Sequence, residues 1–209
     1  MSSIESIHRI NGVSHEVQHP GAAAGYQIHR CPMLTTETIL YFAYGSNMLS
    51  RRLQERAPSA RPVAIGKISG HRLCWHKRSR DGSGKCDADV SENTDDCVWG
   101  VIYRLDAHEK TALDIAEGLG SGYAEKTVHV MTSQGAMVAI TYVATIKDAA
   151  LLPFDWYKAL VLAGAREHAL PPDYVLNLQQ VNSAADSDLK RAGQNEAVLR
   201  AAHFSNPGA

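Results

Sequence analysis

Ile39 and Leu40 lead into Tyr41-Phe42-Ala43-Tyr44-Gly45-Ser46-Asn47-Met48, the stretch of this sequence richest in groups able to do chemistry. An aromatic, apolar run that stops at a Gly-Ser-Asn turn and hands over to a helix start, Leu49 to Arg56, leaves backbone N–H groups without partners. Such groups hold an anion or a developing oxyanion. Gly45 permits close backbone approach and a positive φ, while Ser46 and Asn47 either cap the helix or hydrogen-bond a ligand. The plain alternative is a strand, a turn and an N-cap. Ser46 does not read as a nucleophile, because Ala-Tyr-Gly-Ser-Asn lacks the first glycine and the flanks of a nucleophile elbow. Arg51 or Arg52 gains a role with a substrate carboxylate only if its side chain turns back on this loop; otherwise both belong to a solvated helix face.

Among the carboxylates, Glu117 stands out by position. It follows a short helix predicted from Asp106 to about Ala116, and a carboxylate at a helix C-terminus faces the unfavourable end of the dipole. Its rivals have structural explanations. Glu109 reads as the acidic partner of an N-cap at Asp106, and Glu125 as a solvent-facing strand residue. The run Glu117-Gly118-Leu119-Gly120-Ser121-Gly122 follows a helix and lacks the strand-turn-helix setting of a phosphate loop, so it is not read as a nucleotide site.

Composition narrows the partners. The chain has 209 residues, 44% of them hydrophobic and 21% charged, which suits one globular domain with additions. A formal net charge of −1 and a pI near 6.8 give no footprint for nucleic acid or an anionic membrane. Small molecules or proteins are the expected partners. The longest apolar run, Ala159 to Ala165, is far shorter than the ~20 residues of a spanning helix, and the N-terminus lacks the basic and apolar regions of a signal peptide. The expected location is cytoplasmic. Cys31, Cys74, Cys86 and Cys97 include no C-x-x-C pair and read as free thiols. His8, His15, His19 and His29, or Cys86 and Cys97 with His71 and His76, match no metal-ligand spacing, so no metal is expected.

The elements that must position these residues follow in order. Val63 to Ser69 and His71 to His76 read as strands joined at Gly70, and residues 77–97 as a long polar loop. Val98 to Leu105 is a strand, and Tyr123 to Thr132 with Met137 to Ile146 a hairpin. Alternation places Val138, Ile140, Tyr142 and Ala144 on one face, which makes Tyr142 a core tyrosine or a hydroxyl presented to a cavity. Pro153 to His168, Asp173 to Val181 and a final surface segment capped at Ser187-Asp188 read as helices. Strands first and helices last argue for an α+β fold.

The block from Ile39 to Asn47, with Met48 and Leu49, resembles the signature of the gamma-glutamylcyclotransferase family, whose N-terminal strand ends in a Tyr-Gly-Ser-Asn loop. Three further blocks follow in the family's order. These are Val98-Trp99-Gly100-Val101-Ile102-Tyr103 with Glu117-Gly118 and Ser121-Gly122-Tyr123, then Ala139-Ile140-Thr141-Tyr142-Val143, then Trp156-Tyr157 through Gly164-Ala165-Arg166-Glu167 to Leu170-Pro171. The resemblance implies a barrel-like, mostly antiparallel β-sheet with peripheral helices in a catalytic domain of residues 37–182. Residues 1–36 form an N-terminal extension and 183–209 a helical C-terminal one.

The activity that the resemblance implies is cyclisation of a γ-glutamyl amino acid or γ-glutamyl amine to 5-oxoproline with release of the amine. The substrate's own α-amine attacks its γ-carbonyl, so neither enzyme nucleophile nor cofactor is required. Glu117 matches the family's catalytic glutamate and serves as general acid and base. Substrate binding falls to Tyr41, Phe42, Ala43, Tyr44, Gly45, Ser46, Asn47 and Tyr142, with backbone N–H groups at Gly45 and Ser46 facing the oxyanion. The expected partner is a small γ-glutamyl substrate, and the resemblance leaves room for a homodimer. A non-catalytic binding module of the same fold is the competing reading, and the retained Glu117 argues against it.

Overall fold

The computed structural model describes residues 37–205; the N-terminal extension, 1–36, and residues 206–209 lie outside the described residues. Thr38–Ala43 (β1) is a β-branched and aromatic run that becomes fully buried towards its end, as a strand inside a barrel wall must. It pairs antiparallel with Cys97–Asp106 (β5), Tyr41 opposite Tyr103. On its other edge β5 pairs with Arg61–Ser69 (β2), which meets Tyr123–Thr132 (β6) only at Gly66 and Lys67. β6 forms the expected hairpin with Gly135–Ala144 (β7). A parallel bridge from Tyr41 to Ile140 closes the barrel in the order β1-β5-β2-β6-β7. The sheet is thus antiparallel everywhere except this seam, and the helices lie outside it.

Closure explains why alternation in β7 is only half legible. Tyr142 and Ala144 are buried as expected, but Val138 on the same face is 55% exposed, and Ala139 and Thr141 on the opposite face are buried too. Near the seam both faces of β7 are covered, one by the barrel interior and one by packing outside it.

Residues 77–97, expected as a loop, contain a strand. Gly84–Val90 (β4) pairs antiparallel with His71–Arg78 (β3) as a separate two-stranded sheet. Its polar composition hides it, because acids are depleted from ordinary strands. Here Asp87 is fully buried and accepts the Ala144 N–H at 2.7 Å, with His76 Nε2 at 2.8 Å and Lys147 Nζ at 3.1 Å. That set of partners makes a buried carboxylate tolerable. It also ties the hairpin to the end of β7, beside the bonds Arg78 N–H to Ile146 O and Gly84 N–H to Leu152 O.

Among the described residues the α-helices are Ser50–Gln54 (α1), Lys110–Glu117 (α2), Asp155–Glu167 (α3), Pro172–Gln180 (α4) and Leu189–Ser205 (α5). The expected cap at the start of α2 does not form. Asp106 makes no side-chain capping bond, and Glu109 instead accepts from Ser59 N–H and Oγ–H, so a neighbouring loop outcompetes the local motif. α3 packs close enough to the β1–α1 turn that a Cβ on Gly164 would stand 2.4 Å from Leu49 N. α5 is capped as expected, Asp188 Oδ1 accepting from Arg191 N–H. Its start is anchored by Asp186, which accepts from Trp156 Nε1–H at 2.8 Å and pairs with Arg191.

Candidate active site

The loop that ends β1 is shaped by space. Gly45 sits at φ −111°, ψ −146°, so the positive φ expected of it is not used. What requires glycine is crowding: a Cβ there would lie 3.1 Å from Tyr157 Oη and 3.2 Å from Cys86 Cβ. Ser46–Met48 then makes one 3-10 turn, in which Met48 N–H is bonded to Gly45 O. The N–H groups of Ser46 and Asn47 precede that first bond and have no partner within the turn.

Glu117 is delivered to this loop by the way α2 stops. Gly118 adopts the left-handed conformation at φ 71°, and the bonds Leu119 N–H to Asp114 O and Gly118 N–H to Ile115 O form a Schellman closure. The last helical side chain thereby meets Asn47. Asn47 Nδ2 donates to Glu117 Oε1 at 2.6 Å and to Tyr41 Oη at 3.2 Å. Its Oδ1 accepts from Arg56 Nη1, and that same Nη1 stands 3.7 Å from Glu117 Oε1. Every hydrogen-bonding group of the Asn47 amide therefore has work inside the site.

Tyr41, Asn47 and Glu117 face a cleft of about 300 Å³ including its solvent-open mouth. Of the residues expected to bind substrate, Tyr41, Tyr44, Gly45, Ser46, Asn47 and Tyr142 line it together with Glu117. Phe42 and Ala43 are not among its lining residues; both are fully buried and carry the wall behind it. Tyr142 resolves as a cavity residue whose hydroxyl donates to Asp114 Oδ1 at 2.5 Å, and Tyr44 donates to the Tyr142 carbonyl.

Three lining residues had no individual role in the sequence reading: Cys86, Tyr123 and Tyr157. They act as a set, since Cys86 N–H donates to Tyr157 Oη at 3.1 Å and Tyr123 Oη–H donates to Cys86 O at 2.7 Å. Of the arginines, Arg56 was given no role by the sequence, whereas Arg52 meets the condition set for it. Arg56 reaches Asn47, and Arg52 turns back on the loop, its Nε donating to Ser46 Oγ at 3.0 Å. Arg51 only pairs with Glu55 on the exposed side.

Burial sets the charge states around the cleft. It raises the hydroxyl pKa of Tyr41, Tyr44, Tyr123, Tyr142 and Tyr157 above the ordinary value, with the Glu117 charge adding to the effect on Tyr41, so all five stay protonated donors. The Cys86 thiol is pushed up to about 12 by burial. Burial and the neighbouring Arg56 pull Arg52 down to about 10, still charged at neutral pH. Glu117 is the one carboxylate among the lining residues.

The sequence pattern of the AIG2-like family matches residues 97–178. The gamma-glutamylcyclotransferase of Bos taurus is 31% identical over 159 residues, which cover 74% of this chain and 82% of that protein. That of Homo sapiens is 32% identical over 151 residues, 69% and 79% of the two chains. The chain belongs to the gamma-glutamylcyclotransferase family. A solved structure described as a gamma-glutamyl cyclotransferase superposes with a TM-score of 0.68 at 26% identity, covering 78% of this chain and 99% of the other. The likeness agrees with the closed barrel and the helices outside it.

Metal-type donors cluster elsewhere. Cys74, His76 and Asp89 place one ligand atom each within 4.8 Å of one another, on the β3–β4 hairpin. Lys147 Nζ already stands 2.5 Å from Asp89 Oδ1, and burial raises the Cys74 thiol, which disfavours the thiolate a metal takes. Cys86, once paired on paper with His71 and His76, faces the cleft instead. Among the described residues no helix is long and apolar enough to cross a membrane.

Proposed function

We propose that this family member cyclises a γ-glutamyl amino acid or γ-glutamyl amine to 5-oxoproline, releasing the free amine, with Glu117 as general acid and base. The observation that carries the proposal is the 2.6 Å contact between Asn47 and Glu117, which sets the single carboxylate of the cleft against the Tyr44–Asn47 loop. Glu117 takes a proton from the substrate's α-amine as the amine attacks the γ-carbonyl, then gives it to the departing nitrogen. Bonds balance: one C–N bond forms, one breaks, and one proton crosses between two nitrogens. No water enters.

The remaining work is geometric and electrostatic. Holding the glutamyl chain folded for ring closure is worth up to about 7–11 kcal/mol relative to a free encounter, and the tyrosine-lined wall supplies the mould. In this reading loop N–H groups receive the oxyanion, expected at Gly45 and Ser46, with the Asn47 N–H also unbonded within the turn, a contribution of about 3–4 kcal/mol for a well-aimed donor. The free thiols of Cys74, Cys86 and Cys97 are consistent with a reducing, cytoplasmic setting.

The test is release of 5-oxoproline and amine from a panel of γ-glutamyl amino acids, γ-glutamyl amines and glutathione, run beside Glu117→Gln. Turnover of a panel member that the substitution removes, with melting temperature retained, is the expected result. A fully active Glu117→Gln enzyme would assign the proton transfers elsewhere.

A further inference from the structure

We infer that Asn195, on the C-terminal helix α5, is a positioning residue of the active site, acting through Arg52 to orient the Ser46 hydroxyl towards the substrate. The inference rests on the cyclisation reading above and adds to it a residue from outside the expected catalytic domain. Arg52 spans two elements. Its Nε donates to Ser46 Oγ at 3.0 Å, and its Nη1 donates to Asn195 Oδ1 at 3.0 Å. Asn195 is itself fixed, because its Nδ2 donates to the Arg191 carbonyl at 2.9 Å, and Arg191 is clamped by Asp186.

Chemistry gives this chain a direction. A guanidinium only donates, so Ser46 Oγ must accept from it, and the Ser46 proton is left for another acceptor. Ser46 is 8% exposed and lines the cleft, so that acceptor is a carbonyl or carboxylate oxygen of the bound substrate. Among the described residues no carboxylate lies within ion-pair distance of Arg52, and its planar fork is held by the Ser46 and Asn195 oxygens. Without Asn195 the fork is free to rotate, and Ser46 loses the bond that orients it. The effect falls on substrate binding more than on proton transfer, since Glu117 is held separately by Asn47.

The experiment compares Asn195→Leu, Asn195→Asp and wild type. Asn195→Leu removes the acceptor, and the expected result is a KM raised about 5- to 10-fold, the value of one hydrogen bond, with kcat changed less than twofold. Asn195→Asp restores an acceptor for Arg52 and should return KM to within about twofold of wild type. Hydrogen exchange of the backbone at residues 44–49 should quicken in Asn195→Leu and recover in Asn195→Asp, a readout independent of turnover. Unchanged KM and unchanged exchange in a folded Asn195→Leu protein would overturn the inference, as would failure of Asn195→Asp to rescue. Absence of wild-type turnover on any γ-glutamyl compound would instead sink the cyclisation reading, and the exchange data would still decide the role of Asn195.

Discussion

Asn47 Nδ2 stands 2.6 Å from Glu117 Oε1 across 70 residues of chain. The contact joins the turn after β1 to the last residue of α2, two elements that share no strand pairing. Because the other face of the same amide accepts from Arg56, Asn47 also keeps the guanidinium at 3.7 Å from Glu117 instead of in direct contact. It is a spacer as well as a donor.

Removing that spacer should be costly to catalysis. In Asn47→Ala the Arg56 guanidinium is free to close on Glu117 and occupy the carboxylate proposed to take the substrate's proton, while Tyr41 loses its donor. A hydrogen bond to a charged group contributes about 1.5–3 kcal/mol, so kcat/KM is expected to fall roughly 10- to 100-fold. Steady-state kinetics beside a thermal melt measure it. Wild-type kcat/KM in the variant would show that Asn47 does not govern Glu117.

How much of this was legible follows from the range of the interactions. β1, the hairpin β6–β7 and α3 are written in local composition, and Glu117 was singled out by its match to the family's catalytic glutamate, with its place at a helix C-terminus, poor for a carboxylate, in support. Cys86 was not legible. Lys85-Cys86-Asp87-Ala88-Asp89 reads as a polar loop, and what makes it a strand is distant: Tyr157 lies 71 residues away, Tyr123 37 and Ala144 57. Arg52 and Arg56 lie with Arg51 in the charged segment predicted as a helix from Leu49 to Arg56, which ends at Gln54 in the structure, and nothing in the spacing says which arginines face inward. The capping motif at Asp106 was legible and still did not form, because Ser59 offers Glu109 a backbone and a hydroxyl donor together.

Cys86 lines the cleft yet should be chemically quiet. It is 1% exposed, and burial pushes its thiol up to about 12, so the reactive thiolate is scarce at neutral pH. Iodoacetamide at pH 8, followed by peptide mass mapping, is expected to modify the half-buried Cys97 well before Cys86. Enzyme alkylated only at Cys97 should retain its turnover. Preferential labelling of Cys86 in the folded protein would mean that the hairpin β3–β4 opens readily over the cleft.

His168 should make stability depend on pH near neutrality. Burial holds its imidazole below the ordinary value of 6.5, against the opposing charge of Glu167 at 3.8 Å. Its Nε2 lies 2.8 Å from Tyr103 Oη and 3.2 Å from Ser50 Oγ, and Tyr103 Oη–H donates to Met48 O at 2.6 Å, so the ring braces the turn that carries Asn47. Below 6.5 the unfolded chain takes up a proton at this histidine more readily than the folded one. Stability therefore rises with pH across that window: the contribution is complete above 6.5 and is lost as pH falls through the lower, folded value. Melting temperatures at pH 7.5 and 5.5 should drop more steeply for wild type than for His168→Gln, although the variant starts lower for lack of the ring's packing. Parallel slopes for the two proteins would remove His168 as the source and return the acid sensitivity to the carboxylates.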